Sequence, residues 1–289
     1  MKTIRKAVIP AAGLGTRMLP VSKAVPKEML PVDAKPAIQY LVEEAAAAGI
    51  TDILIILGKG KEAIEHHFTR SLEYEEKLKG KKDELYAQIA PLTSIANLYF
   101  TYQHETRGLG HAISCAESFV GDEPFAVLYG DDLVISDVPC TRQLCDVYET
   151  YGKSVAGVKS VPTSDIGKYC SLKAEPIADR VYAVSDMVEK PMPEQVFTNL
   201  AILGRVVLEP CIFDLLRHTA PGAGGEIQLT DAMAQIARST GMVAVEFEGK
   251  RYDIGNKLSY LVANVETAVK NPEYGEAFKQ YLRDFVKTL

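Results

Sequence analysis

Residues Ala7 to Pro31 read AVIPAAGLGTRMLPVSKAVPKEMLP. The apolar run Ala7-Val8-Ile9 has the character of a buried strand end, and it breaks into Ala11-Ala12-Gly13-Leu14-Gly15-Thr16-Arg17. Small residues and two glycines let the backbone turn tightly and bring its N–H groups close to an anion. Arg17, Lys23 and Lys27 then follow within eleven residues, on a segment stiffened by Pro20, Pro26 and Pro31. Backbone donors beside fixed cations suit a polyphosphate, here a triphosphate cradle. The stretch lacks the Gly-Lys-Ser/Thr of a Walker loop, and Met18 stands where a dinucleotide fingerprint has its third glycine. A strand feeding a glycine turn is also the entry to a βαβ unit.

Outward from this turn, strand-like and helix-like segments alternate. Strands are expected at Ala7–Pro10, Ile53–Leu57, Leu98–Tyr102 and Phe125–Leu128, with helices at Pro36–Ala48, Glu62–Phe68, Gly110–Phe119 and Cys140–Tyr151. Residues Thr69–Ala90 read as a charged, exposed helical excursion. From Ser154 the strands Ser154–Val161, Val181–Val188 and Leu200–Leu208 come with less helix between them. Helices return at Cys211–His218, Leu229–Ser239, Leu258–Lys270 and Glu276–Lys287. The pattern predicts a doubly wound, Rossmann-like α/β/α sandwich with a mixed, mostly parallel sheet. No linker-like or low-complexity tract divides it, so one domain over 1–289 is expected. Residues 1–150 are expected to form the half that carries the glycine turn, and 151–289 a mixed-sheet half with the C-terminal helices that closes over the ligand.

Bulk properties exclude several classes. A chain of 289 residues with 47% apolar and 24% charged residues is that of an ordinary globular protein. A net charge of −6 argues against general nucleic-acid or anionic-membrane binding, though not against a local basic pocket. Five cysteines without a Cys-x-x-Cys pair suggest reduced thiols and a cytoplasmic protein. The start Met1-Lys2-Thr3-Ile4-Arg5-Lys6 resembles a signal-peptide n-region, but the apolar stretch behind it is short and ends at Thr16-Arg17, so no signal peptide is expected. Neither a Gly-x-Ser-x-Gly elbow nor a His-Glu-x-x-His motif occurs.

Other segments carry candidate chemistry. Tyr129-Gly130-Asp131-Asp132 follows a strand, where ligands of open α/β sheets bind. A carboxylate there is either a Mg²⁺ ligand or part of an acidic turn. Asp253, in Tyr252-Asp253-Ile254-Gly255-Asn256, is the best second ligand, or else the N-cap of the next helix. Glu189-Lys190-Pro191 ends a strand: the lysine suits one phosphate and the glutamate sugar hydroxyls, unless the two are a solvated ion pair. Gln103 precedes Arg107-Gly108-Leu109-Gly110-His111, where an amide and a glycine backbone suit a flat base, unless the stretch is only a flexible loop before a helix.

Together these segments resemble the bacterial UTP–glucose-1-phosphate uridylyltransferases, or UDP-glucose pyrophosphorylases. The matching pieces are AVIPAAGLGTRMLP, KEMLP, RGLGHA, YGDD, VEKP, PGAGGEIQLTDA and DIGNK, in order along nearly the whole chain. The first indicates only sugar nucleotidyltransferases in general; Pro221–Asp231 and Asp253–Lys257 narrow it to the uridylyl branch. The resemblance implies that UTP and glucose 1-phosphate give UDP-glucose and pyrophosphate, with Mg²⁺, in a homodimer or homotetramer. It implies backbone nucleotide contacts at Ala11, Ala12 and Gly13, with Gly15 completing the turn. Arg17 and Lys27 would hold the triphosphate; Glu28, Gln103 and Gly108 would surround the uracil. Asp131 and Asp253 would ligate Mg²⁺, Gly167, Glu189 and Asn199 would line the glucose site, and Lys190 would grip its phosphate. The catalytic set is then Arg17, Lys27, Asp131 and Lys190. Competing readings are the same chemistry on another nucleotide or sugar, such as thymidylyl transfer, and a metal-dependent glycosyltransferase, whose usual Asp-x-Asp is not matched by Asp131-Asp132-Leu133. An NAD-dependent oxidoreductase is disfavoured by Met18, and a non-catalytic paralogue by the intact charged set.

Overall fold

The computed structural model describes residues 3–289, so Met1-Lys2 of the charged start lie outside the described residues. Strand β1 (Lys6–Ala11) is followed by a two-stranded hairpin, β2 (Pro31–Val32) and β3 (Lys35–Pro36). Strands β4 (Asp52–Leu57), β5 (Asn97–Tyr102), β6 (Phe125–Leu128), β7 (Asp132–Ile135) and β8 (Val155–Ser160) come next. The chain continues through β9 (Cys170–Ala178), β10 (Val181–Glu189), β11 (Leu200–Leu208), β12 (Met242–Glu246) and β13 (Lys250–Asp253). The nine-stranded main sheet has the order β5-β4-β1-β6-β11-β8-β12-β10-β9.

The strand residues alternate between two cores, as the period of two requires. In β1, Ala7, Ile9 and Ala11 face one core and Val8 the other; in β4, Ile53, Ile55 and Leu57 oppose Leu54 and Ile56. Helices α1 (Ala37–Ala47) and α2 (Glu62–Phe68) pack on the first side. Helices α3 (Leu72–Leu78) and α4 (Asp83–Ile89) form the charged excursion, with Leu72 and Tyr74 exposed. The expected helix Gly110–Phe119 is two short ones, α5 (Leu109–Ser114) and α6 (Glu117–Val120), on the second side. Helix α7 (Cys140–Tyr151) covers the first side, and α8 (Cys211–His218) and α9 (Leu229–Ser239) the second. Helices α10 (Lys257–Ala268) and α11 (Gly275–Val286) end the chain.

The sheet is mixed, as expected, but less parallel than expected. β5-β4-β1-β6 is parallel throughout, and β8 is parallel to β12. The remaining neighbours, β6–β11, β11–β8, β12–β10 and β10–β9, are antiparallel. The reason is local: only Asp179 and Arg180 separate β9 from β10, too few for a parallel crossover. β9 also pairs back to β11, Ala201 opposite Ser171, so β11-β8-β12-β10-β9 is a closed circuit. Register shifts between Val184 and Asp186 let the β9–β10 hairpin bend to make that closure. Cys170 and Glu189, paired at its end, thereby reach the cleft beside the parallel half.

Candidate active site

The turn after β1, Gln103 after β5 and Tyr129–Asp131 after β6 all lie beyond the carboxyl ends of parallel strands. They line a cavity of about 520 Å³, with Ala12, Gly13, Gly15, Arg17, Lys27, Glu28, Gln103, Gly108 and Asp131 in its wall. A second cavity of about 460 Å³ is lined by Glu189, Lys190, Tyr169, Thr230 and Arg251. The two share Arg17, Leu109, Tyr129 and Asp131, so they meet at one charged seam.

A small ribbon assembles that seam. β7 pairs with β13 and sets Asp253 opposite Asp132, and the Ile254 amide donates to the Asp131 carbonyl at 2.8 Å. Asp131 and Asp253, far apart in sequence, thus share one guanidinium: Arg17 Nη1 lies 2.9 Å from Asp253 Oδ2, and Nη2 lies 3.3 Å from Asp131 Oδ2. Lys27 Nζ donates to Asp131 Oδ2 at 2.5 Å. Burial would push the Asp131 carboxyl up, but Lys27 and Arg17 together hold it below the usual carboxylate range. Both carboxylates turn towards Gly255, where a Cβ would lie 2.9 Å from Asp131 Oδ2, 3.1 Å from Asp253 Oδ1 and 2.6 Å from Arg17 Nη2. The missing side chain at Gly255 leaves room there for two acids and a cation. Asp253 does not cap α10; Asn256 does, accepting the Ser259 amide at 3.0 Å.

On the base side, Gln103 Nε2 donates to the Gly108 carbonyl at 3.2 Å and lies 2.9 Å from His111 Nδ1. The amide oxygen is left as an acceptor. Glu28 is 1% exposed, and Lys61 Nζ lies 2.9 and 2.8 Å from its two oxygens. Burial pushes the Glu28 carboxyl up and the Lys61 ammonium down, each against the attraction of its partner. Gly108 has φ of 106°, and a Cβ on it would lie 2.7 Å from Glu226 Cβ and 2.7 Å from the Ile227 carbonyl oxygen. No other residue type permits that approach.

On the other side, Lys190 adopts a left-handed φ of 47°, fixed by its amide donating to the Tyr169 carbonyl at 2.8 Å. Such a backbone is costly outside glycine and is concentrated at functional sites. Its ammonium makes no ion pair among the described residues, unlike Arg17 and Lys27. Glu189 accepts the Thr230 hydroxyl at 3.0 Å, and burial raises its pKa.

Some expected residues lie apart from these walls. Ala11 is the last residue of β1, 1% exposed, and lies behind Ala12 rather than in the cavity wall. Lys23 is exposed and lines neither cavity. Gly167 and Asn199 also line neither; the Asn199 amide donates to the Thr163 hydroxyl at 2.9 Å. Conversely, the sequence reading assigned nothing to Arg251, Tyr169 or Thr230. Arg251 donates to buried Asp132 at 2.6 Å and lies 5.5 Å over the Tyr169 ring. Burial pushes the Asp132 carboxyl up to about 6 despite that partner. Strand periodicity offered the clue: two residues apart on β13, Arg251 and Asp253 share a face, while Tyr252 between them is buried. Among the described residues no group of three or more His, Cys, Asp or Glu converges as a self-sufficient metal site, and no helix is long and apolar enough to cross a membrane.

Fold and cleft define an α/β protein with a charged double cavity at the ends of its parallel strands. The chain belongs to the nucleotidyl transferase family, whose model matches residues 6–270. It is 50% identical over 287 residues to the UTP–glucose-1-phosphate uridylyltransferase YngB of Bacillus subtilis, covering 99% of this chain and 97% of that one. It is 50% identical over 284 residues to a UTP–glucose-1-phosphate uridylyltransferase of Staphylococcus epidermidis, covering 98% and 99%. Among solved structures it is similar to a UDP-glucose pyrophosphorylase complexed with UDP-glucose, with 40% identity, a TM-score of 0.85 and coverage of 93% and 100%. It is also similar to a UTP-bound UGPase from Acinetobacter baumannii, with 36% identity, a TM-score of 0.86 and coverage of 96% and 98%.

Proposed function

We propose that this chain transfers the uridylyl group of UTP to glucose 1-phosphate, forming UDP-glucose and releasing pyrophosphate. The observation that carries this reading is the pair of cavities meeting at Asp131 and Arg17, in a chain 50% identical to two uridylyltransferases. UTP takes the cavity of the glycine turn, and the sugar phosphate takes the cavity of Glu189 and Lys190.

The uracil imide N–H finds its acceptor in the Gln103 amide oxygen, since the Gln103 nitrogen is committed elsewhere. Ala12, Gly13 and Gly15 offer backbone donors to the nucleotide, with Ala11 supporting them from β1. Glu28 and Gly108 close the base site. Arg17 and Lys27 exchange their carboxylate partners for the triphosphate and then the leaving pyrophosphate. Glu189 receives sugar hydroxyls, with Gly167 and Asn199 at the rim, and Lys190 holds the sugar phosphate.

A sugar phosphate oxygen attacks the α-phosphorus, one P–O bond forms, and the bond to pyrophosphate breaks. With a second pKa of about 6, the phosphate monoester is mostly dianionic at neutral pH and needs no general base. The obstacle is repulsion between two anions, so the protein's work is alignment and charge compensation. Asp131 and Asp253 would hold Mg²⁺, which takes one or two carboxylates together with phosphate oxygens and, when bound, neutralises phosphate charge. Their shared approach to Gly255 supports that fit.

The finer architectural reading is a Rossmann-like α/β/α sandwich of one domain, with 1–150 serving the nucleotide and 151–289 the sugar. Cytoplasmic residence and a homodimer or homotetramer complete it. Exposed Leu258 and Leu261 on α10, with Tyr281 and Phe285 on α11, support contact between copies. The test is a matrix of nucleoside triphosphates against sugar 1-phosphates, with and without Mg²⁺, read as pyrophosphate release. UTP with glucose 1-phosphate and Mg²⁺ should be fastest. A faster pair of other substrates, or release of nucleoside diphosphate instead, refutes the reading.

A further inference from the structure

The motif Pro221–Asp231 is built into both cavities of the cleft. The Ile227 amide donates to the Arg107 carbonyl at 2.8 Å, and the Gly110 amide donates to the Ile227 carbonyl at 2.8 Å. Ile227 is thus laced through both its backbone groups to the loop that carries Gly108. The next residues enter the other cavity: Gln228, Leu229 and Thr230 line it, at the start of α9. Leu229 is fully buried and Thr230 is 7% exposed, so the strap has little freedom.

At its end the Thr230 hydroxyl donates to Glu189 Oε2 at 3.0 Å. No other hydrogen bond to the Glu189 carboxylate is made among the described residues, so its second oxygen is the one left for a ligand in the cavity. We infer that Thr230 is a positioning residue for the sugar site, fixing the rotation of the Glu189 carboxylate so that one oxygen faces the sugar hydroxyls. This rests on the reading of Glu189 as a sugar-binding residue.

The geometry has an electrostatic side. Burial favours the neutral acid at Glu189, Asp231 on α9 adds to that, and Thr230 and Lys190 oppose it. Cys170 on β9 and the Tyr129 hydroxyl also face it, both made harder to ionise by burial. A protonated Glu189 would spend its hydrogen on a neighbour or on the ligand and lose acceptor capacity. The same hydroxyl therefore holds the orientation of the carboxylate and opposes the burial that favours its neutral form.

The test is steady-state kinetics of the full chain with UTP and glucose 1-phosphate for Thr230→Val, Thr230→Ser and Glu189→Gln. Thr230→Val should raise KM for glucose 1-phosphate about tenfold, the loss of one hydrogen bond to a charged group. KM for UTP should stay within about twofold, which also shows that the variant folds. The acid limb of kcat/KM for glucose 1-phosphate should move to higher pH, because the neutral acid is then favoured. Thr230→Ser should restore both values. A purely structural threonine would lower thermal stability without moving the acid limb. The inference is overturned if Glu189→Gln raises KM for glucose 1-phosphate while Thr230→Val does not, or if serine fails to rescue. If Glu189→Gln also leaves that KM unchanged, the assignment of Glu189 to the sugar falls, and this inference with it.

Discussion

Replacing Lys61 by methionine isolates one buried charge. Lys61 and Glu28 bond at 2.8 and 2.9 Å, with side chains 9% and 1% exposed, so water replaces neither partner. Removing one member of such a pair costs about 3–5 kcal/mol, because the other is left charged and uncompensated. For a chain of this length each kcal/mol moves the midpoint by roughly 2 °C, so Tm should fall by about 6–10 °C. The loss should depend on pH, and its sign is fixed. Burial already holds the folded pKa of Glu28 above its unfolded value, and without Lys61 it rises further. The folded variant then binds a proton that the unfolded chain releases. Its stability is regained as pH falls through the raised folded pKa, and the gain is complete near the ordinary carboxylate value of about 4.3. Melting curves of parent and Lys61→Met between pH 8 and pH 5 should therefore converge towards acid. The double variant Lys61→Met, Glu28→Gln should regain at least half of the loss at pH 8. A single variant within 2 °C of the parent at pH 8, or an equal gap at both ends of the range, would refute the reasoning.

Other expectations follow from the cleft. Asp131→Asn should lower kcat by about 10²-fold or more, the scale of one electrostatic contact to the reacting group, while the variant still unfolds in one cooperative transition. Lys190→Ala should lower kcat/KM for glucose 1-phosphate by a comparable factor and leave UTP affinity, measured calorimetrically, nearly unchanged. Gly108→Ala places a Cβ 2.7 Å from the strap at Glu226 and Ile227 in a left-handed backbone. It should destabilise by about 1–3 kcal/mol and raise KM for both substrates; a selective effect on UTP would show that the strap is not shared.

Much of this was legible because it is local. The glycine turn, the apolar run Ala7-Val8-Ile9 and the acidic tip at Asp131 each follow from neighbouring residues, and the turn and the tip do come together. The meeting of Asp131 with Asp253 was expected from the strand-like stretch before each and from the resemblance; its physical cause, the β7–β13 register, is not written in either segment. Arg251 was missed because its meaning depends on the partner strand that presents Asp132 and on the Tyr169 ring below it. Thr230 was missed for the same reason, since a threonine in the first turn of a helix reads as an ordinary surface residue until Glu189 is placed beside it. The prediction of a mostly parallel sheet erred where two residues, Asp179 and Arg180, turn the chain back on itself, and the return of β9 to β11 has no sequence mark at all.

That return has a mechanical consequence. β11 is hydrogen-bonded to β6 of the first half and to β8 and β9 of the second. A clamshell motion about the cleft would have to unzip a continuous backbone ladder, so the floor of the site is a single plate. Any opening of the cleft is therefore confined to segments outside that ladder, which can shift without breaking the floor beneath them.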